Sequence, residues 1–149
     1  MIGNFGWWHV QRSFDGVQYS YDRATTNGTV VALRPTRGVF DVNGWGELDI
    51  GLFYASVSRA SQQYDWRIFA SSYNDYRADP SPLKVDNRPG VARLADTRDI
   101  TVHTIGAHYL RSAATGLGPV DVVLWGAAQL GDWGALEHRA FAFVAEAGL

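Results

Sequence analysis

Cysteine is absent from the 149 residues. That removes any disulfide framework, thiolate metal site or cysteine nucleophile, and it leaves the redox compartment unread. Lysine is nearly absent too, with Lys84 alone against twelve arginines. No apolar run approaches the roughly 20 residues of a membrane-spanning helix, so a helical membrane protein is excluded while a barrel of strands stays open. The segment Met1-Ile2-Gly3-Asn4-Phe5-Gly6-Trp7-Trp8 has no basic n-region, no sustained apolar h-region and no small-residue cleavage site. A secretory signal is therefore not expected there, and the chain reads as cytosolic or incomplete. Phosphate-binding glycine loops and nucleophile elbows are missing, since Gly116-Leu117-Gly118-Pro119 reads as a turn. The net charge of −2 and the alternation of arginines with acids predict no nucleic-acid surface. No shift in composition divides the chain, so one unit is expected.

What is present is aromatic and periodic. Six Trp and seven Tyr accompany segments of roughly ten residues rich in Val, Tyr, Phe, Trp and Thr, punctuated by Gly, Asn, Asp and Pro. About seven such segments predict an all-β fold. Val17, Tyr19 and Tyr21 alternate with Gln18, Ser20 and Asp22, and Asn27-Gly28 before Val31 and Leu33 predicts a hairpin turn. Leu48, Ile50, Leu52 and Tyr54 form one row against Asp49, Gly51, Phe53 and Ala55. In the next segment Tyr64, Trp66, Ile68 and Ala70 oppose Asp65, Arg67, Phe69 and Ser71. Residues 74–99, with two proline-rich turns and scattered charge, read as a long exposed loop. Strands are expected over 101–111, 120–130 and 136–149, although Leu136, Ala140, Phe143 and Ala147 also fit a helical stripe. Joints after Arg23, Ser58 and Ser112 are short and those after Arg37 and Tyr73 longer, the asymmetry of periplasmic turns and extracellular loops. The short joint at Gly131 does not fit it.

Strand length separates two architectures. Segments near the 9–11 residues of a tilted membrane strand exceed the roughly 5–6 of soluble sheets. The faces opposite the apolar rows carry small polar groups rather than Lys and Glu, as a hydrated lumen accepts. Trp45, Trp66, Trp125 and Trp133, with Tyr54, Tyr64 and Tyr73, lie where interfacial girdles are expected; tryptophan in a sandwich core is the alternative. The predicted fold is an antiparallel up-and-down transmembrane β-barrel of the bacterial outer membrane. A soluble glycan-binding β-sandwich or small barrel is the alternative.

Phe14-Asp15-Gly16-Val17-Gln18-Tyr19-Ser20-Tyr21 followed by Val30-Val31-Ala32-Leu33-Arg34-Pro35 resembles two successive strands of the alginate export family. Gln129-Leu130-Gly131, then His138-Arg139-Ala140-Phe141-Ala142 with trailing Glu146, is similar to that family's hairpin. The resemblance spans residues 14–149. It implies a large outer-membrane porin that passes a polysaccharide such as alginate, several times longer than this chain, with membrane lipid, cargo and the remaining strands as partners. No cofactor and no catalytic turnover are implied. The odd strand count, the missing signal and an end at Ala147-Gly148-Leu149 without a terminal aromatic predict a piece of a longer protein with two unpaired edges.

Parity proposes a lumen set: Arg34, Asp49, Asp65, Arg67, His108, Asp121, Gln129, His138 and Glu146. Arg34 and Arg67 are offered as bidentate donors to sugar carboxylates, or as cations neutralised by Asp49 and Asp65. This set has no positive excess, which leaves a porin for small or neutral solutes open beside a polyuronate exporter. His138, Gln129 and Glu146 share a parity and are expected to form a polar cluster. His103 and His108 fall on opposite faces and cannot share a metal. Carboxylates are plentiful, and Asp49 with Asp65 on neighbouring strands resembles a glycosidase pair, but nothing fixes their separation or supplies an apolar pocket, and enzymatic activity is not expected.

Overall fold

The structure, a computed structural model, describes residues 14–36, 48–77, 86–116 and 118–148. Among the described residues seven strands follow one another: β1 (Phe14–Arg23), β2 (Thr26–Pro35), β3 (Ile50–Ala60), β4 (Tyr64–Asp75), β5 (Ile100–Thr115), β6 (Gly118–Trp133) and β7 (Leu136–Gly148). One short helix, α1 (Gly90–Leu94), lies between β4 and β5. The strands form a single antiparallel sheet in sequence order, an open meander that leaves β1 and β7 as its edges. The turns β1–β2, β3–β4 and β5–β6 share one end, the short-turn end. The connections β2–β3, β4–β5 and β6–β7 share the other, the long-loop end, where only the two-residue Gly134-Ala135 turn is short.

The first hairpin does not turn at Asn27-Gly28. Arg23 pairs with Thr26, so Ala24 and Thr25 form the turn, with Ala24 in the left-handed region at φ 48°. Asn27 and Gly28 lie inside β2 opposite Asp22 and Tyr21. Turned with its nitrogen toward Asp22, the Asn27 amide donates to that carboxylate at 2.5 Å, so a side-chain bond replaces the turn role of Asn. Residues 136–148, open to two readings, are a strand, paired with β6 from Leu136↔Trp133 to Gly148↔Asp121. The ladder and the Phe141-Ala142-Phe143-Val144 core of the segment outweigh the helix propensity of its alanines.

Side chains alternate across a strand and direct partners share a face. The register therefore sorts the strand residues into two faces. The first carries Val17, Tyr19, Tyr21, Val30, Phe53, Val57, Trp66, Ile68, Ile105, Leu124, Leu130, Phe141 and Phe143. It is exposed, with Phe141 at 89%, Val17 at 73% and Ile105 at 60% of full accessibility. The second is polar and more sheltered. Among the described residues the buried apolar side chains, Ile50, Ile100 and Val102, all lie on this second face at the long-loop end. There Leu33 and Leu52 extend the patch.

That patch reverses two expectations. Leu33, and the row Ile50, Leu52 and Tyr54, belong to the polar face, while Gly51, Phe53 and Ala55 lie on the apolar one. Apolarity read as the outward signal misassigns both strands, because here both faces carry apolar side chains.

Residues 86–99 are not a featureless loop. Asp75-Tyr76-Arg77, Asp86-Asn87-Arg88 and Asp96-Thr97-Arg98 repeat one local device, in which the aspartate accepts the backbone N–H two residues on at 3.1, 2.9 and 3.1 Å. Asp96, buried, also accepts the Ala135 N–H of the β6–β7 turn at 2.8 Å and pairs with Arg88 at 2.9 Å, which fastens the segment to the neighbouring turn. Gly134, at φ 65°, gives Asp96 room, since a Cβ there would collide with its carboxylate.

Candidate functional site

The candidate site is the polar face, built row by row from the register. Toward the short-turn end Ser112 and Asp121 share a row, followed by Asp65, Leu110, Val123 and Glu146, and then by Asp22, Asn27, Ser58, Arg67, His108 and Trp125. His108 Nε2 and Asp65 Oδ1 are 2.8 Å apart across β4 and β5, and both side chains are partly exposed. Among the described residues no serine or threonine hydroxyl bonds to His108.

In the next row of this face Phe69 lies over Gly106, where a Cβ would collide with its ring. Phe69 also stacks on Tyr54 with centroids 6.3 Å apart, and the two rings interrupt a surface otherwise lined by hydroxyls and amides. A chain of side-chain bonds crosses three strands from the row beyond Phe69, which holds Thr104 and Gln129, to the one after, which holds His138: His138 Nε2 faces Gln129 Oε1 at 3.2 Å, and Gln129 Nε2 donates to Thr104 Oγ1 at 3.1 Å. A groove of about 360 Å³ opens on this face, lined chiefly by Gln18, Asn27, Thr29, Tyr54, Ser56 and Arg67. At the long-loop end Arg77 grips Asp75 through two bonds of 2.8 and 2.6 Å, and the Tyr73 hydroxyl donates to the same carboxylate at 3.1 Å.

Seven of the nine expected lumen residues share this face: Asp65, Arg67, His108, Asp121, Gln129, His138 and Glu146. Arg34 does not. It pairs with Asp15 and keeps the parity of Ala32 and Val30 on the apolar face, at its polar rim. Asp49 is outside the strands; its carbonyl accepts the Tyr76 N–H at 2.9 Å. Since Ile50 pairs with Asp75 and Ala60 with Asp65, Asp49 and Asp65 stand at opposite ends of the sheet and form no carboxylate pair. Arg67 is not neutralised by Asp65, whose bonded partner is His108. The expected cluster forms in part: Gln129 and His138 meet, while Glu146 opposite Val123 lies eight residues along β7 from His138, roughly 26 Å away at strand rise. His103 and His108 take opposite faces, as their spacing requires. Trp125, Trp133, Tyr54 and Tyr73, expected in interfacial girdles, lie on the polar face; Trp66 and Tyr64 take the apolar one, and Trp45 falls outside the described residues.

Parity places Asp22 on the polar face but the proposed lumen set leaves it out, although it stands three strands from Arg67 in the same row; the Asp75–Arg77 pair is missed, and the repeated Asp-x-Arg spacing is the available signal for it. The strands then place five acids on this face, Asp22, Asp65, Asp75, Asp121 and Glu146, against Arg67, with Arg77 holding Asp75 from beyond the strand end. In the loop, hydrogen bonds to Asp86 and then to Asp96 raise the Arg88 pKa, and the Arg88 side chain holds Asp86 below the ordinary carboxylate range. Among the described residues no group of three or more His, Asp or Glu is arranged to hold a metal ion. Chemically the face offers hydroxyl, amide and carboxylate partners to a hydrated solute, and an excess of negative charge. No family model, no curated protein and no solved structure matches the chain.

Proposed function

We propose that these seven strands are part of the wall of an outer-membrane β-barrel through which a hydrophilic solute diffuses, with the polar face toward the water. The observation that carries this reading is the banding of the apolar face. Its central rows, Tyr21-Gly28-Val57-Ile68-Ala107-Gly126-Phe143 and Tyr19-Val30-Ala55-Ala70-Ile105-Ala128-Phe141, contain no charge at all. Charges bound the band at both ends: Arg23, Arg59 and Arg111 on one side, Asp15, Arg34, Asp132, Glu137 and Arg139 on the other. Across β5 and β6 the row of Arg111, opposite Val122, and the row of Asp132 are ten residues apart, roughly 33 Å of strand, which at a tilt of 35–45° is roughly 25 Å of membrane. In water such a surface would expose aromatic and branched side chains row upon row, and a sheet with this liability aggregates. The smallest single-chain barrels close at about eight strands, so closure takes strands beyond these seven.

The resemblance to alginate exporters suggests a polysaccharide cargo. The acid excess on the polar face favours a neutral polysaccharide or a cation over a polyuronate, because like charge along a confined wall repels the permeant. Single-channel conductance of the full-length protein in planar bilayers tests this. A cation preference that weakens in Asp22→Asn and Asp65→Asn supports it. Absence of conductance refutes the pore, and anion preference in the parent protein refutes the cargo assignment.

A further inference from the structure

The charged limits of the apolar face differ in kind. At the long-loop end acids and bases mix, and Arg139 is paired with Glu137. At the short-turn end all three charges are arginines, Arg23, Arg59 and Arg111, and no acid shares that part of the face. None of the three has an ion-pair partner among the described residues, and all are exposed. Arg59, Trp66 and Tyr109 occupy one row across β3, β4 and β5, and Tyr64 and Arg111 occupy the next on β4 and β5. Two strand spacings and two residues of rise put the Arg59 and Arg111 backbones roughly 12 Å apart, with the aromatic side chains between them. From this patch a groove of about 370 Å³ runs toward the middle of the band, walled by Trp66, Tyr109, Leu124 and Phe143 over a floor of Ala107 and Gly126.

We infer that this patch and groove form a binding site for an anionic phospholipid in the leaflet at the short-turn end. Arg59 and Arg111 take the phosphate between them, guanidinium N–H groups donating to its oxygens. The Tyr64 and Tyr109 hydroxyls and the Trp66 indole lie at headgroup depth, and one acyl chain occupies the groove, where alanine and glycine replace bulk. The occupant follows from complementarity on both counts: cations with no acid beside them require an anion, and an apolar trough leading from them toward the band's centre requires a chain attached to that anion. This inference rests on the membrane reading above and adds a specific lipid to it.

The test uses the full-length protein in phosphatidylcholine vesicles carrying a minor fraction of phosphatidylglycerol, with acyl chains of one lipid or the other brominated to quench tryptophan. At equal fractions, brominated phosphatidylglycerol quenches more than brominated phosphatidylcholine, and the excess disappears in Trp66→Phe. In the Arg59→Gln, Arg111→Gln double variant the preference falls roughly tenfold or more, as the loss of two interfacial cations requires. Equal quenching by both lipids, or an undiminished preference in the double variant, overturns the lipid site while leaving the membrane reading standing. Failure to enter phosphatidylcholine vesicles overturns the membrane reading and the site together.

Discussion

Ile105 stands at the centre of the apolar band, and replacing it with arginine separates a lipid-facing sheet from a water-facing one. It lies four residues from Thr101 in the polar row at the long-loop end and six from Arg111 at the short-turn end. Those separations are roughly 13 and 20 Å along the strand, or roughly 10 and 15 Å along the membrane normal at a tilt of 35–45°. If this face meets lipid, the site is close to the midplane, where an outward arginine costs about 2–4 kcal/mol. Ile105 is 60% exposed in the isolated sheet, so in water Ile105→Arg is a surface change costing within about 0.5 kcal/mol. Thr101→Arg, at the polar rim of the same face, is the depth control and costs about 0–1 kcal/mol. Reversible urea unfolding of the full-length protein in phosphatidylcholine vesicles, followed by tryptophan emission, measures all three proteins. Equal stability of Ile105→Arg and the parent, or equal losses in Ile105→Arg and Thr101→Arg, refutes the assignment of this face to lipid.

Gly106→Ala would drive a Cβ against the Phe69 ring and to 2.8 Å from the Gly126 carbonyl, and the backbone cannot withdraw as a side chain can; a loss of about 1–3 kcal/mol is expected in the same titration, with Gly116→Ala, open on all sides, unchanged. Asp96→Ala strands the Ala135 N–H and removes a partner of Arg88, so protease cleavage within 86–99 should quicken by the factor that about 1–3 kcal/mol of local opening gives. The Asp86 carboxyl is held below its ordinary range chiefly by the Arg88 hydrogen bond, so its folded pKa lies under its unfolded one. Its contribution is then whole above about pH 4 and fades as the pH falls through the lower folded value. Proteolytic protection of the segment should be flat from neutral pH to pH 5 and fall below about pH 4, and a decline already under way near neutrality would contradict the assignment.

How far the residues themselves revealed this arrangement depended on how unlike the two faces of each strand are. In β4, Asp65 and Arg67 against Trp66 and Ile68 leave one reading, and the register agrees with it. The polar parity of Gln129 and His138 likewise found a real side-chain chain across β5, β6 and β7. In β2 and β3 the same reasoning failed, because Leu33, Ile50 and Leu52 belong to a buried patch on the polar face at the long-loop end and imitate an outward row. Arg34 was carried inward by that error. Parity also carries no information about height, which is why Asp49 and Asp65, or His138 and Glu146, looked like neighbours until the register set them at opposite ends. The hold of Asp96 on the β6–β7 turn joins residues 39 apart and left no local pattern beyond the Asp-x-Arg spacing.

The central claim is that one face of the sheet meets lipid and the other meets water, and the absence of cysteine makes that directly measurable. Single cysteines introduced at Ser71, Thr104 and Gln129 on the polar face, and at Ala70, Ile105 and Ala128 on the apolar face, occupy two adjacent rows of β4, β5 and β6. With the full-length protein in lipid vesicles, a water-soluble, membrane-impermeant maleimide should label the first three and spare the second three. A lipid-dissolved thiol reagent should show the reverse. Labelling of Ile105→Cys by the aqueous reagent at the rate of Thr104→Cys would contradict the account.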